Sequence, residues 1–272
     1  MTNTAMSAPF AEGDFRVGRV ISRSISVLSR RFVTLLIIAA AAYLPTFLIS
    51  LWMGGFLWTG RVPGQAEQIA SAILLGIAFI LFSVLSQAMI VHAAFQDMRR
   101  RPVSLGASVK VGLRRFLPLF GIAILLAILV FLALTLFITL TALVTPFLLV
   151  LTPIPIVVIV TVYFVTTPAC VVEERGPFGS MGRSAQLTKG HRWRIFGLEL
   201  LVVGLLLIAS IFIGLLDWAL RAVGGPLLAA ISGLLWNAVW VAYYAVMVAV
   251  AYHDLRVAKE GIDIEQIASV FD

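Results

Sequence analysis

Residues 117–172 read LPLF GIAILLAILV FLALTLFITL TALVTPFLLV LTPIPIVVIV TVYFVTTPAC VV, 56 positions without a charged side chain. A helix crosses the hydrocarbon core of a bilayer in about 20 apolar residues, so this stretch is too long for one crossing and sufficient for two. Pro146, Pro153 and Pro155 mark the reversal, because proline supplies no N–H to a helix interior. The spacing predicts membrane helices over about 117–142 and 148–171. Transmembrane barrels alternate apolar and polar residues at period two, and this run does not.

Working outward, similar runs occupy 32–57 and 69–95 before it and 195–216 and 226–253 after it. The expected fold is all-α and integral to the membrane, with six transmembrane helices. Composition agrees: 61% of the 272 residues are hydrophobic, 12% are charged, and the mean hydropathy is +1.06. A soluble domain is about 25% charged, so there is too little polar surface here to cover a water-soluble globule. The expected plan is a disordered tail over 1–14, a membrane domain over 15–254 and a second tail over 257–272.

Charge supplies the orientation. Of the 20 Lys and Arg residues, 18 fall in the N-terminal segment, the even-to-odd connections and the C-terminal segment, leaving Arg61 and Arg221 for the other connections. Cytoplasmic segments hold the positive excess, so both termini are expected in the cytoplasm, beneath a bacterial inner membrane. Ten of the 13 acids share that side, which carries +8 within a net charge of +7. Topology thus accounts for an isoelectric point near 10.2, and the partner expected is anionic phospholipid rather than nucleic acid. No cleavable leader is expected, because the first 31 residues are mixed and polar. A single cysteine, Cys170, excludes an internal disulfide and a thiolate metal cluster.

The approaches to the odd-numbered helices resemble one another. They read SISVLSRRF (24–32), SVKVGLRRF (108–116) and SAQLTKGHRWR (184–194), each ending in a basic pair beside an aromatic. Apolar stripes at helical spacing accompany them: Val17, Val20, Ile21, Ile25 and Leu28, then Leu105, Val109, Leu113 and Phe116, then Phe178, Met181 and Ala185. Basic amphipathic helices of this kind lie in the membrane interface. The exits from the even-numbered helices also agree, with Asp97 before Arg99, Glu173 and Glu174 before Arg175, and Asp254 before Arg256. The expected unit is interfacial helix, span, return span and acid–Arg exit, in parallel copies over about 15–99, 104–175 and 177–256. Membrane-edge composition alone would also give basic approaches, though not acids at the same place in each exit.

Glu173-Glu174-Arg175-Gly176 followed by RSAQLTKGHRWRIFG (183–197) resembles the acid … RSxxLTxGxRWRxFG segment of a bacterial membrane family. YHDLRVAKEG (252–261) resembles its YxDLRxxKEG ending. That family is labelled as the membrane domain of glycerophosphoryl diester phosphodiesterase, and the likeness extends over most of the chain. In the name-giving relatives a separate barrel carries the chemistry, and a barrel requires about 250 residues, for which this chain has no room. The resemblance implies a membrane module connected with phospholipids and no activity.

Among individual residues, Glu199 is the one carboxylate inside an expected span, about 7.5 Å along a helix from Arg194. It is expected to reach the headgroups or to pair with Arg194 or an arginine of a neighbouring helix, with a transport or proton role as the alternative. Gln87, with Ser83 one turn before it, and Asn237 suit hydrogen bonds between helices or, alternatively, a substrate path. Ala238, Ala242, Ala245 and Ala249, and Ser210 with Gly214, permit close helix approach. Trp52, Trp58, Trp218, Trp236 and Trp240 read as outer interface anchors, and Trp193 and Tyr252 as inner ones. Glu173 and Glu174 are expected to pair with Arg175 and Arg183. His92, His191 and His253 lack ligand spacing, so no metal or cofactor is expected, and no nucleophile or phosphate-loop motif suggests an enzyme.

Arg30, Arg31, Arg114, Arg115, Arg192, Trp193 and Arg194 remain as lipid-headgroup candidates, against the simpler reading that they set topology alone. These features point to a non-enzymatic protein that binds or organises anionic phospholipid at the cytoplasmic leaflet, or engages a protein partner or a second copy of itself there. The alternative is a small transporter or channel with a polar path through Glu199, Gln87 and Asn237. Asp263, Glu265 and Asp272 form a solvated acidic tail or a partner-docking segment.

Overall fold

The computed structural model describes residues 15–58 and 64–261, and among these every regular element is helical. The segments 1–14 and 262–272, with Asp263, Glu265 and Asp272, lie outside the described residues, as do Arg61 and the side chains of Trp52 and Trp58. In chain order the elements are α1 (Val17–Arg30), α2 (Phe32–Trp58), α3 (Gln65–Met98), α4 (Leu105–Val144), a 3-10 turn (Pro146–Leu151), α5 (Pro153–Val162), α6 (Thr166–Val172), α7 (Pro177–Thr188) and α8 (Arg192–Glu260).

Among the described residues, five helical segments are long and apolar enough to cross a bilayer: Phe32–Leu51, Gln65–Met98, Leu105–Thr141, Leu149–Val172 and Arg192–Glu260. The chain is a multi-pass membrane protein. The difference from the expected six lies in the 69 residues of α8. Within it, Gly225 has φ 74° and ψ −176°, a conformation open essentially only to glycine. Pro226 follows, and its ring drives the preceding residue out of the helical region. The two limbs double back. Arg194 near the start of α8 donates to the Phe15 carbonyl (2.9 Å), while Arg19, one turn along from Phe15, pairs with Asp254 near the end of α8 (3.1 Å).

Three local expectations are corrected. The approach to the third span is not a separate interfacial helix, because α4 runs unbroken from Leu105 through Arg114, Arg115 and Pro118. By contrast, Arg31 (φ −123°, ψ 25°) parts α1 from α2, and Gly190 (φ 88°) lies between α7 and α8. The helix expected over 148–171 is interrupted at 163–165, between α5 and α6. Finally, α8 continues through 257–260 instead of ending before a tail, and Gly261 caps it at φ 62°.

Burial is strongly one-ended. The last turns of α3 (Ile90, Val91, Ala94), α6 (Ala169, Cys170) and α8 (Val246, Met247, Val250, Leu255) form a closed core with Val20 and Val27 of α1. Ala238, Ala242, Ala245 and Ala249 are at most 2% exposed, so their lack of bulk lets α2 and α3 close on α8. Ser210 and Gly214 instead face outward on the first limb. At the far end Phe131, Leu132, Leu207, Ile211 and Phe212 are exposed, as residues wetted by lipid tails should be. Lipid is as apolar as these side chains, so nothing drives that end to close.

Candidate functional site

The closed end is the basic end, and its charges form a layer. Charged groups leave water at a cost that only paired, well-hydrogen-bonded partners offset. Each exit acid meets that condition. Asp97 accepts from Arg30 (Nη2, 2.8 Å; Nε, 3.2 Å) and from Arg31 (Nε, 2.9 Å). Asp254 accepts from Arg19 and Arg23, both at 3.1 Å, with His253 Nδ1 at 3.3 Å. Glu173 Oε1 accepts from the Tyr252 phenol (2.6 Å) and Arg183 Nε (2.7 Å), and its Oε2 lies 2.7 Å from Arg175 Nε. Glu174 pairs with Arg115 and, at 3.9 Å, with Arg114. Glu260 closes the layer between Arg183 and Arg256.

Glu173 therefore takes both arginines expected for the glutamate pair, and Glu174 turns to α4 instead. Burial alone would raise the Glu173 carboxyl, but the bonds from Tyr252 and Arg183 and the charges of Arg183 and Arg175 outweigh it and hold the group below its ordinary range. Arg99 is lowered by burial, then by the like charges of Arg101 and Arg256.

Tyr252 is not an interface anchor: it is 1% exposed, edge-on to Phe95 at 5.8 Å. Two residues along a helix turn the side chain by about 200°, so Tyr252 and Asp254 face opposite ways. The first reaches Glu173 and the second reaches α1. Spacing shows that the faces are opposite; only the packing shows what stands opposite each.

The RSAQLT segment has a second task. Where the chain breaks at 163–165, Ser184 Oγ donates to the Val162 carbonyl (3.0 Å) and accepts from the Val165 N–H (3.2 Å). Thr188 Oγ1 donates to the same carbonyl (3.1 Å). A helix interrupted at membrane depth is tolerated only where protein groups re-satisfy its backbone, and α7 supplies them here.

The lipid-headgroup candidates divide. Arg30, Arg31 and Arg115 are engaged by acids, and Arg194 by the Phe15 carbonyl. Arg114 is largely exposed. Arg192 is exposed without a hydrogen-bond or ion-pair partner among the described residues, and Trp193 is 86% exposed, edge-on to Phe196.

The intramembrane candidates are not brought together. Glu199 accepts from Thr161 (2.8 Å), not from Arg194, and its Oε1 is buried without a partner. Gln87 accepts from Thr167 (3.5 Å) and lines a crevice of about 270 Å³ with Ser83. Asn237 donates to Gly233 of its own helix (2.8 Å) and lines another of about 250 Å³ beside Tyr43 and Ser50. A third, of about 520 Å³, lies between α5 and the start of α8. Among the described residues no three of His, Cys, Asp and Glu are grouped to hold a metal ion. No family model, curated protein or solved structure matches this chain.

Proposed function

We propose that this is a six-pass inner-membrane protein with both termini in the cytoplasm, and that it binds or organises anionic phospholipid at the cytoplasmic leaflet without catalysing a reaction. The observation that carries the reading is a division among the cations of the basic end. The exit acids are satisfied by arginines within the layer, while Arg100, Arg101, Lys110, Lys189 and Arg192 remain exposed, without a carboxylate partner among the described residues. Such residues beside a membrane attract anionic headgroups, about 1 kcal/mol each.

Three parallel hairpin repeats belong to this proposal. Arg23, just before buried Ser24, meets Asp254, and Arg183, just before buried Ser184, meets Glu173. Two approach helices thus hold the exit acids of hairpins in the same way. At the matching place in the second approach stands Ala107, and buried Ser108 meets His92 Nδ1 instead, at 3.2 Å. Native mass spectrometry from bilayers of equal phosphatidylglycerol and phosphatidylcholine tests the function: the anionic lipid should be retained preferentially, and equal retention would refute the reading. Reporter fusions at either terminus test the topology.

The partnerless Oε1 of Glu199 supports a second reading, as a transporter. If Glu199→Gln abolishes solute flux in reconstituted vesicles, that reading displaces the first.

A further inference from the structure

We infer that the crevice between α5 and the first turns of α8 is a site for one anionic phospholipid, with an acyl chain along α5 and the phosphate at Arg192. The inference rests on the lipid-binding reading above and narrows it to one place.

Shape is the first argument. Ile154, Val157, Val158 and Val162 form one wall and Phe196 the other, around about 520 Å³, about twice the crevice at Gln87 or the one at Asn237. From Pro153 to Val162 the helix rises about 13.5 Å, close to half of the roughly 30 Å hydrocarbon core and so to the depth of one leaflet. The crevice also has a fixed back. Thr161, which lines it, donates to Glu199 and ties α5 to α8, while Ser184 and Thr188 hold the lower end of α5 through the Val162 carbonyl. It therefore exists before any lipid arrives.

Charge selects the occupant. Arg192 and Trp193 line the mouth, whereas the crevices at Gln87 and at Asn237 are lined by no charged residue. Lys189 lies exposed in the connection between α7 and α8, three positions before Arg192, and Lys259 is within electrostatic reach of both. No acid answers Arg192 or Lys189 among the described residues, so the mouth calls for an anion directly above an apolar trough. A phospholipid joins those two chemistries in one molecule. Trp193 adds an amphipathic ring at the level where headgroups sit.

The full-length protein in detergent would be titrated with dioleoyl phosphatidylglycerol and the bound lipid counted by native mass spectrometry. Arg192→Gln removes the charge, and Val158→Trp fills the trough from a position 54% exposed, where folding tolerates bulk. Leu136→Trp, also exposed but away from the crevice, is the control. The tightest lipid should weaken about fivefold in Arg192→Gln and at least about tenfold in Val158→Trp, and stay unchanged in the control. Wild-type affinity in both variants would overturn the site. So would equal filling by phosphatidylcholine, full displacement by millimolar inorganic phosphate, or a dimer mass lost in Val158→Trp, which would assign the crevice to a second copy. If the site fails while the protein still prefers phosphatidylglycerol, the broader reading survives; if that preference is absent, both fall.

Discussion

The phenol of Tyr252 donates a 2.6 Å hydrogen bond to Glu173, joining the ends of α8 and α6 across 79 positions of sequence. The same carboxylate oxygen receives Arg183 of α7, so one half-buried acid holds three helices at the basic end. The closed core sits directly against this junction, and the far end opens into lipid.

Tyr252→Phe keeps the ring against Phe95 and removes the donor to an ionised acceptor. A hydrogen bond to a charged group contributes about 1.5–3 kcal/mol, so thermal unfolding in lipid nanodiscs should show a loss of that order. An unchanged midpoint would mean that the Glu173 junction is not part of the stable core.

Acid should weaken the same junction. The folded-state Glu173 carboxyl titrates below its ordinary value, so its contribution is present above the unfolded pKa and disappears as pH falls through the depressed folded one. Unfolding midpoints between neutral pH and the region below ordinary carboxylate titration should fall more steeply for wild type than for Glu173→Gln. Parallel curves would assign the acid sensitivity to other carboxylates.

Ser184→Ala and Thr188→Val test the capping of the interrupted span. An unsatisfied buried backbone group costs about 1–3 kcal/mol, and Val162 and Val165 depend on these hydroxyls. Amide exchange at 163–166 should accelerate in both variants, more in the double variant. Unaltered exchange would show that the break is satisfied by other means.

Gly225→Ala places a Cβ on a backbone held at φ 74°. Strain of this class costs about 1–3 kcal/mol, so the reversal of α8 should loosen and the unfolding midpoint drop. A variant as stable as wild type would count against the reversal at this residue.

Membrane class, the helical state and the confinement of basic residues to the segments flanking the spans were all legible in the sequence. Each is a local or additive property: 20 apolar residues in a row cross a bilayer whatever their neighbours are, and clustered charge takes one side of it. The apolar runs 195–216 and 226–253 were legible for the same reason, whereas the break at Gly225 came from the structure. Arg175 and Arg183 were legible as partners for the Glu173–Glu174 pair, and Glu173 takes both; the pairings between distant segments were decided by the tertiary structure alone. Asp254 faces Arg19 and Arg23 across more than 230 positions, and Glu174 faces Arg115 across 59. Helical periodicity assigns a residue to a face, but the partner depends on which helix packs there. It likewise could not show that Tyr252 is buried, that Ser184 and Thr188 cap a broken span, or that Arg192 keeps a free charge above an apolar crevice. Those facts come from contacts between distant segments, and burial makes each contact count by removing water as the alternative partner.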